Sequence, residues 1–178
     1  LISGFGTAGI PHELLQAVID SGAKDLTLVA NNAGNGDDCI GTLLGQGRVK
    51  RMICSFPRQV DSWHFDAAYR SGKTELELVP QGDLAERIRA AGAGIGAFFC
   101  PTGVGTQLAE GTETREINGR MYALRYPIYA DLALIKAERG QDHQLRHDEK
   151  KVSHAVVGDR TQDHERDQRH VRRKGQEQ

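Results

Sequence analysis

The sequence predicts an α/β fold, an open and mostly parallel sheet with helices on both faces. Three observations carry that expectation. Short apolar runs suited to strands alternate with stretches of helical spacing, a pattern that builds βαβ units. The joins between them are rich in glycine and asparagine, as at Gly4-Phe5-Gly6-Thr7-Ala8-Gly9 and Asn31-Asn32-Ala33-Gly34. The alternation then stops near residue 138: residues 139–178 hold ten Lys/Arg, eight Asp/Glu and five of the seven histidines, but only six apolar residues. Such a segment buries too little apolar surface to offset its ordering entropy. The chain is thus expected to divide into an α/β domain over 1–138 and a polar tail over 139–178, disordered or foreign to the core.

The first element is the end of a strand at Leu1-Ile2, followed by glycines at Gly4, Gly6 and Gly9. His12 to Asp20 then takes helical spacing, with Leu14, Leu15, Val18 and Ile19 on one face. Pro11 suits the first turn of that helix, where its missing N–H loses no bond. Strand, glycine turn and helix leave backbone N–H groups at a helix N-terminus, which attracts phosphate or carboxylate. Gly4-x-Gly6-x-x-Gly9 also has the spacing of the dinucleotide fingerprint, which expects an acid at the end of the next strand. That strand, Leu26 to Ala30, ends in Asn31-Asn32, which argues against a nucleotide-dependent oxidoreductase. A tight turn that binds nothing accounts for the glycines as well.

Ligands of open parallel sheets sit beyond the carboxyl ends of strands. Asn31 and Asn32 are placed there to hydrogen-bond a carboxyl or thioester oxygen, unless they only form an Asx-turn. Asp38 to Leu44 reads as a short helix, and Arg48 to Ser55 as a third strand with Cys54 at its buried end. Asp61 to Ser71 reads as a helix bearing Trp63, Phe65 and Tyr69, with Arg58 and Arg70 available to grip a carboxylate. Thr74 to Pro80 alternates as a half-buried strand, and Asp83 is suited to cap the helix from Leu84 to Ala91. Gln81 therefore holds the same topological place as Asn31, a strand end just before a helix. The glycines of Gly92 to Thr106 point to close approach of a bulky ligand or of another backbone. Thr114 to Ile117 and Arg120 to Arg125, joined by Asn118-Gly119, form a β-hairpin, and Ala130 to Ala137 a final buried strand.

Composition bounds the function. The 178 residues suffice for one domain with a real core, and the net charge of −1 advertises neither nucleic acid nor an anionic membrane as partner. No apolar run approaches the roughly 20 residues of a membrane-spanning helix, and no signal peptide is visible. Cys39, Cys54 and Cys100 fit neither a zinc pattern nor a disulfide framework, so no metal site is expected and the setting is a reducing cytoplasm.

Four motifs in register carry a resemblance: Gly4-Phe5-Gly6-x-x-Gly9-x-Pro11, Asn31-Asn32-Ala33-Gly34, Val79-Pro80-Gln81-Gly82-x-Leu84-Ala85-Glu86-Arg87-Ile88-Arg89, and Pro101-Thr102-Gly103-x-Gly105-Thr106. Over residues 1 to about 138 the chain resembles the α (A) subunit of family I CoA-transferases, the 3-oxoacid type. Cys54 to Gln59, Phe65 to Arg70 and Thr114 to Tyr122 most resemble the members that act on 3-oxoadipate. The resemblance implies ping-pong transfer of CoA from succinyl-CoA, through a glutamyl-CoA thioester, with no permanently bound cofactor. The family's nucleophilic glutamate lies in a Ser-Glu-Asn-Gly motif on the B subunit, and no such motif occurs here. This chain is then half a site. By the same resemblance Ser3, Gly4, Phe5, Gly6, Thr7, Ala8 and Gly9 lie against CoA. Asn31 and Gln81 face the reacting group as neutral oxyanion donors, Asn32 orients its loop beside the substrate, and Arg58 binds the acceptor's carboxylate.

Three departures from the family pattern complete the expectation. Ser3 stands where the family usually has glycine, and the chain opens inside the first strand. Past Gly140 the family's Gly-Asn-Leu-x-Tyr-Arg segment is absent, so a non-catalytic remnant is a further alternative. The tail's histidines and its basic cluster Arg169 to Lys174 are weaker signs of metal or nucleic acid than of a solvated segment.

Overall fold

The computed structural model describes residues 1–137 and, as backbone alone, residues 152–157. Helices and strands alternate through the first eighty residues: α1 (His12–Asp20), β1 (Leu26–Val29), α2 (Cys39–Gly45), β2 (Val49–Cys54), α3 (Trp63–Arg70) and β3 (Glu75–Leu78). Then follow α4 (Gln81–Gly92), β4 (Phe98–Cys100), a 3-10 turn (Gln107–Ala109), β5 (Thr114–Ile117), β6 (Arg120–Arg125), β7 (Leu132–Ala137) and β8 (Val152–Val157). Strands β1, β2 and β3 pair in parallel, in that order. Residues 1–3 carry the layer onward to β7. The Ile2 N–H donates to the Val29 carbonyl at 2.8 Å, and the Ser3 N–H to the Leu134 carbonyl at 2.9 Å.

Side-chain alternation along the parallel strands sorts the core onto two faces. Leu28, Ala30, Met52 and Cys54 face one side, where Leu15 of α1, Ile40, Leu43 and Leu44 of α2, and Phe65 and Ala68 of α3 cover them. Val29 and Ile53 face the other, where Leu84 of α4 packs with Val79 and Ile128. Helices thus cover both faces, as the alternating pattern requires. Arg48, 7% exposed, closes the far end of α1 by donating to the Val18, Ile19 and Ala23 carbonyls at 2.8, 2.8 and 2.6 Å. A cation there satisfies carbonyls that the helix itself leaves open.

The hairpin forms as expected. Asn118 and Gly119 take φ of 52° and 75°, the left-handed pair that a two-residue turn between twisted strands demands. Strand β6 lies between β4 and β5 in a separate antiparallel sheet, so parallel pairing is confined to the main layer.

Four expectations differ from the structure. Pro11 stands one position before the helix, as its N-cap residue. Asp83 does not cap α4; it lies inside the helix, 1% exposed, because a buried cation waits for it there. β7 is only partly buried: Leu134 reaches the core and Ile135 stays 40% exposed, since periodicity does not reveal how many layers cover a strand. Finally, composition places all of 139–178 outside the sheet, yet β8 pairs antiparallel with β7, from Leu132↔Val157 to Ala137↔Val152. An average over the tail hides its one β-branched run, Val152 with Val156 and Val157. The rest of the tail, with the Arg169 to Lys174 cluster, lies outside the described residues.

Candidate active site

Because β1, β2 and β3 run parallel, the residues that leave their carboxyl ends emerge along one edge. Asn31-Asn32 leave β1, Ser55 to Ser62 leave β2, and Pro80-Gln81 leave β3. The glycine loop 3–9 joins this edge from residues 1–3. It is a tight turn, with the Phe5 N–H donating to the Ala8 carbonyl at 2.9 Å and the Ala8 N–H returning to the Phe5 carbonyl at 3.1 Å. Gly4, at φ 119°, permits that turn; a side chain there would collide with Ile10. Phe5 points outward, 70% exposed, beside the exposed Thr7 and Ala8. Ser3 fastens both ends of the loop, its hydroxyl donating to the Gly9 carbonyl at 2.9 Å and accepting from the Lys136 N–H at 3.0 Å. The departure from glycine at position 3 thus adds a clasp.

Asn32 is 2% exposed and ties the glycine loop to the tip of β1. Its Nδ2 donates to the Gly6 carbonyl at 3.1 Å, and its Oδ1 accepts the Gly34 N–H at 3.0 Å. The second bond is an Asx-turn, and the first extends its hold to the neighbouring loop. Asn31 looks the other way. Its Oδ1 accepts from the Ser55 hydroxyl at 2.6 Å, and its carbonyl accepts the Phe56 N–H at 2.9 Å. With Oδ1 occupied, the amide nitrogen is left as the end that can donate. Sequence reasoning misses Ser55, whose one signal is a hydroxyl just past a strand.

Further bonds join the loops after β1 and β2 into one surface. The Ala33 N–H donates to the Pro57 carbonyl at 3.3 Å, the Gly36 N–H to the Asp61 carbonyl at 2.6 Å, and the Asp61 N–H to Asn35 Oδ1 at 2.9 Å. Arg58 rises from this surface but already holds a carboxylate: its Nε donates to Asp66 Oδ1 of α3 at 2.7 Å. Arg70 is exposed in the last turn of α3. Gln81 is exposed as the first residue of α4, and among the described residues its amide has no hydrogen-bond partner. Two of the expected positions, Asn31 and Gln81, therefore lead onto the same edge, with Asn32 and Ser3 holding the glycine loop beside them.

Neither Cys39 nor Cys54 is set up as a nucleophile by a lowered pKa. Burial pushes Cys54 up to about 12, and burial followed by the Asp38 carboxylate raises Cys39. The carboxylates nearest the edge are engaged: Asp38 caps α2 by accepting the Gly41 N–H at 2.7 Å, and Asp37 holds His64 at 2.7 Å. Among the described residues no cluster of His, Cys, Asp and Glu could hold a metal ion. A cavity of about 230 Å³ lined by Leu44, His64 and Lys73 lies between α2 and α3, next to the residues leading into β2 and β3 rather than those leaving them. Among the described residues the glycines at 92, 94 and 96 meet no atom that a side chain would strike, so no other backbone approaches them closely, whereas Gly103 of the same stretch lies against Arg125 and Leu108.

Residues 1–150 match the family model described as Coenzyme A transferase. The chain is 63% identical over 140 residues to the A subunit of 3-oxoadipate CoA-transferase of Pseudomonas putida, covering 79% of this chain and 61% of that protein. It is 47% identical over 137 residues to the A subunit of a probable succinyl-CoA:3-ketoacid coenzyme A transferase of Bacillus subtilis, covering 77% of this chain and 57% of that one. The chain thus spans about three-fifths of the length of the curated relatives it matches. Among solved structures, glutaconate coenzyme A-transferase from Acidaminococcus fermentans superposes with a TM-score of 0.62 at 19% identity, over 75% of this chain and 49% of that one. That likeness speaks to the fold alone.

Proposed function

The chain belongs to the Coenzyme A transferase family, and we propose that it is the A-type half of a heteromeric transferase moving CoA from succinyl-CoA to 3-oxoadipate. The observation that carries this reading is the edge itself: a glycine loop held by Asn32 and Ser3, beside Asn31 and the exposed amide of Gln81. The names of the relatives support the acceptor, and their designation as A subunits supports a B subunit as partner. CoA and its thioesters are substrates in this reading, and no permanent cofactor is invoked. A cytoplasmic setting belongs to the same proposal, supported by three free thiols. No helix among the described residues is long and apolar enough to cross a membrane.

The nucleophilic glutamate would come from the B subunit, because this chain has no Ser-Glu-Asn-Gly. When a carboxylate adds to the thioester carbonyl, the carbonyl oxygen gains negative charge. Neutral donors at Asn31 Nδ2 and on the Gln81 amide stabilise that charge, yet do not hold the free carboxylate as a guanidinium would. The loop from Ser3 to Gly9 would take the CoA moiety, with Phe5 offering an apolar surface and the backbone offering N–H groups. Arg58 would meet the distal carboxylate of a dicarboxylate acceptor through its terminal nitrogens, since the bond to Asp66 engages Nε.

The test is co-expression with a B subunit carrying Ser-Glu-Asn-Gly, followed by succinyl-CoA-dependent formation of 3-oxoadipyl-CoA. Activity is the expected result. A stable but inactive complex would overturn the acceptor, and failure to form a complex would favour a remnant. In the active complex, Gln81→Ala should lower kcat by about 100-fold, the loss typical of one oxyanion donor, while leaving assembly intact. An unchanged kcat removes Gln81 from the mechanism.

A further inference from the structure

Behind Gln81 lies a buried polar cluster that this reading of the reaction does not use. Asp83, two residues into α4 from Gln81, is paired with Arg125 of β6, Nε to Oδ2 at 2.9 Å, with side chains 1% and 10% exposed. Every nitrogen of that guanidinium has a partner. Nη2 donates to the Thr102 carbonyl at 2.8 Å, and Nη1 to the Leu108 carbonyl at 3.3 Å. The Cys100 thiol adds a contact to the second carboxylate oxygen, Oδ1, at 2.9 Å. Gly103 sits over the guanidinium so closely that a Cβ there would stand 3.3 Å from Nη2. One cation therefore grips three elements: the first turn of α4, strand β6, and both ends of the loop 102–108.

A buried ion pair is a weak source of net stability, because desolvation of both ions offsets their attraction. Its fixed fork geometry is worth more as a positioning device, since a guanidinium accepts partners only in its own plane. Gln81 starts a helix with no side-chain cap, after Pro80, and its side chain is exposed. On that first turn Leu84 packs into the core, and Asp83 supplies the one side-chain hydrogen bond among the described residues that ties the turn to β6. We propose that Arg125 and Asp83 are positioning residues for transfer, locking the Gln81 turn of α4 and the loop 102–108 into one rigid body at the edge of the site. This proposal rests on the reading of Gln81 given above.

The test is a double-mutant cycle in the co-expressed complex, using Arg125→Lys, which keeps the charge but loses the fork. Arg125→Lys should lower kcat at least 10-fold, with KM for succinyl-CoA changed less than 2-fold. In a Gln81→Ala background the same substitution should lower kcat no further, because the group it positions is gone. A merely structural defect would instead lower activity by the same factor in both backgrounds and would overturn the proposal. If Gln81→Ala alone leaves kcat unchanged, the fault lies with the reading of Gln81, whereas loss in Gln81→Ala without loss in Arg125→Lys refutes the positioning role. Hydrogen exchange provides a readout independent of turnover. Arg125→Lys, and Asp83→Asn as a second variant, should speed exchange at amides 82–85 and 103–108 together and leave β1 and β2 unchanged. Loosening of one segment without the other would show that the cluster does not couple them.

Discussion

At the scale of single residues, the site depends on an asparagine whose two amide ends serve different loops. Asn32→Ala would strand the Gly6 carbonyl and the Gly34 N–H, both held in a largely buried setting. The expected cost is about 1–3 kcal/mol of stability, read from urea unfolding, with a larger fractional loss in affinity for a CoA thioester. Cys54 makes a second prediction, on pH. Its folded pKa, about 12, stands above its ordinary 9.0 because burial disfavours the thiolate. The folded state then holds this proton more tightly than the unfolded state does. The resulting stability is present in full below about pH 9 and is lost as pH rises toward the folded value. Between about pH 8 and about pH 10 the wild type should lose about 1.4 kcal/mol that Cys54→Ala does not lose. Parallel slopes for the two proteins would show that Cys54 titrates normally.

At the scale of elements, α1 is held as much by Arg48 as by its own apolar stripe. The stripe is visible in the spacing of Leu14, Leu15, Val18 and Ile19, and the helix forms over the expected residues. The arginine that closes it comes from the residue before β2, which from sequence reads as one of several basic residues leading in a strand. Arg48→Met keeps most of the buried stem and removes the donors to three carbonyls. It should cost about 2–3 kcal/mol, whereas truncating the half-exposed Arg51 should cost far less, as exposed ion pairs do. Urea midpoints of the two variants check the contrast.

At the scale of the whole molecule, a parallel layer and an antiparallel sheet meet along α4. Asp83 joins them from one turn of the helix and Arg87 from the next. Arg87 bonds Glu77 of β3 at 2.8 Å and the Tyr126 carbonyl at 2.7 Å, while its own carbonyl accepts the Ile128 N–H at 3.1 Å. Arg87→Leu leaves Glu77 its bond to Arg51 and should cost about 1–2 kcal/mol. The loss should show as faster hydrogen exchange where the chain passes from β6 to β7, with the β1–β2 ladder unaffected.

The alternation of strands and helices, the loops at the strand tips, the hairpin turn and the family motifs are all legible in the amino-acid order. Each rests on local physics: periodicity marks a buried face, and an Asn-Gly pair tolerates the left-handed turn that joins β5 to β6. Partners are a different matter, and they emerge only from the packed fold. Asp83 looks like a cap because its neighbours in sequence are helical, but its cation lies 42 residues away on β6. Arg58 looks wholly free for substrate, yet α3 brings Asp66 to its Nε and leaves only the terminal nitrogens. Ser55 is only a hydroxyl just past a strand until β1 and β2 lie side by side and it meets Asn31. The physical reason is the same in each case: a side chain's partner is chosen by the packing of elements distant in sequence, and no local propensity encodes that choice.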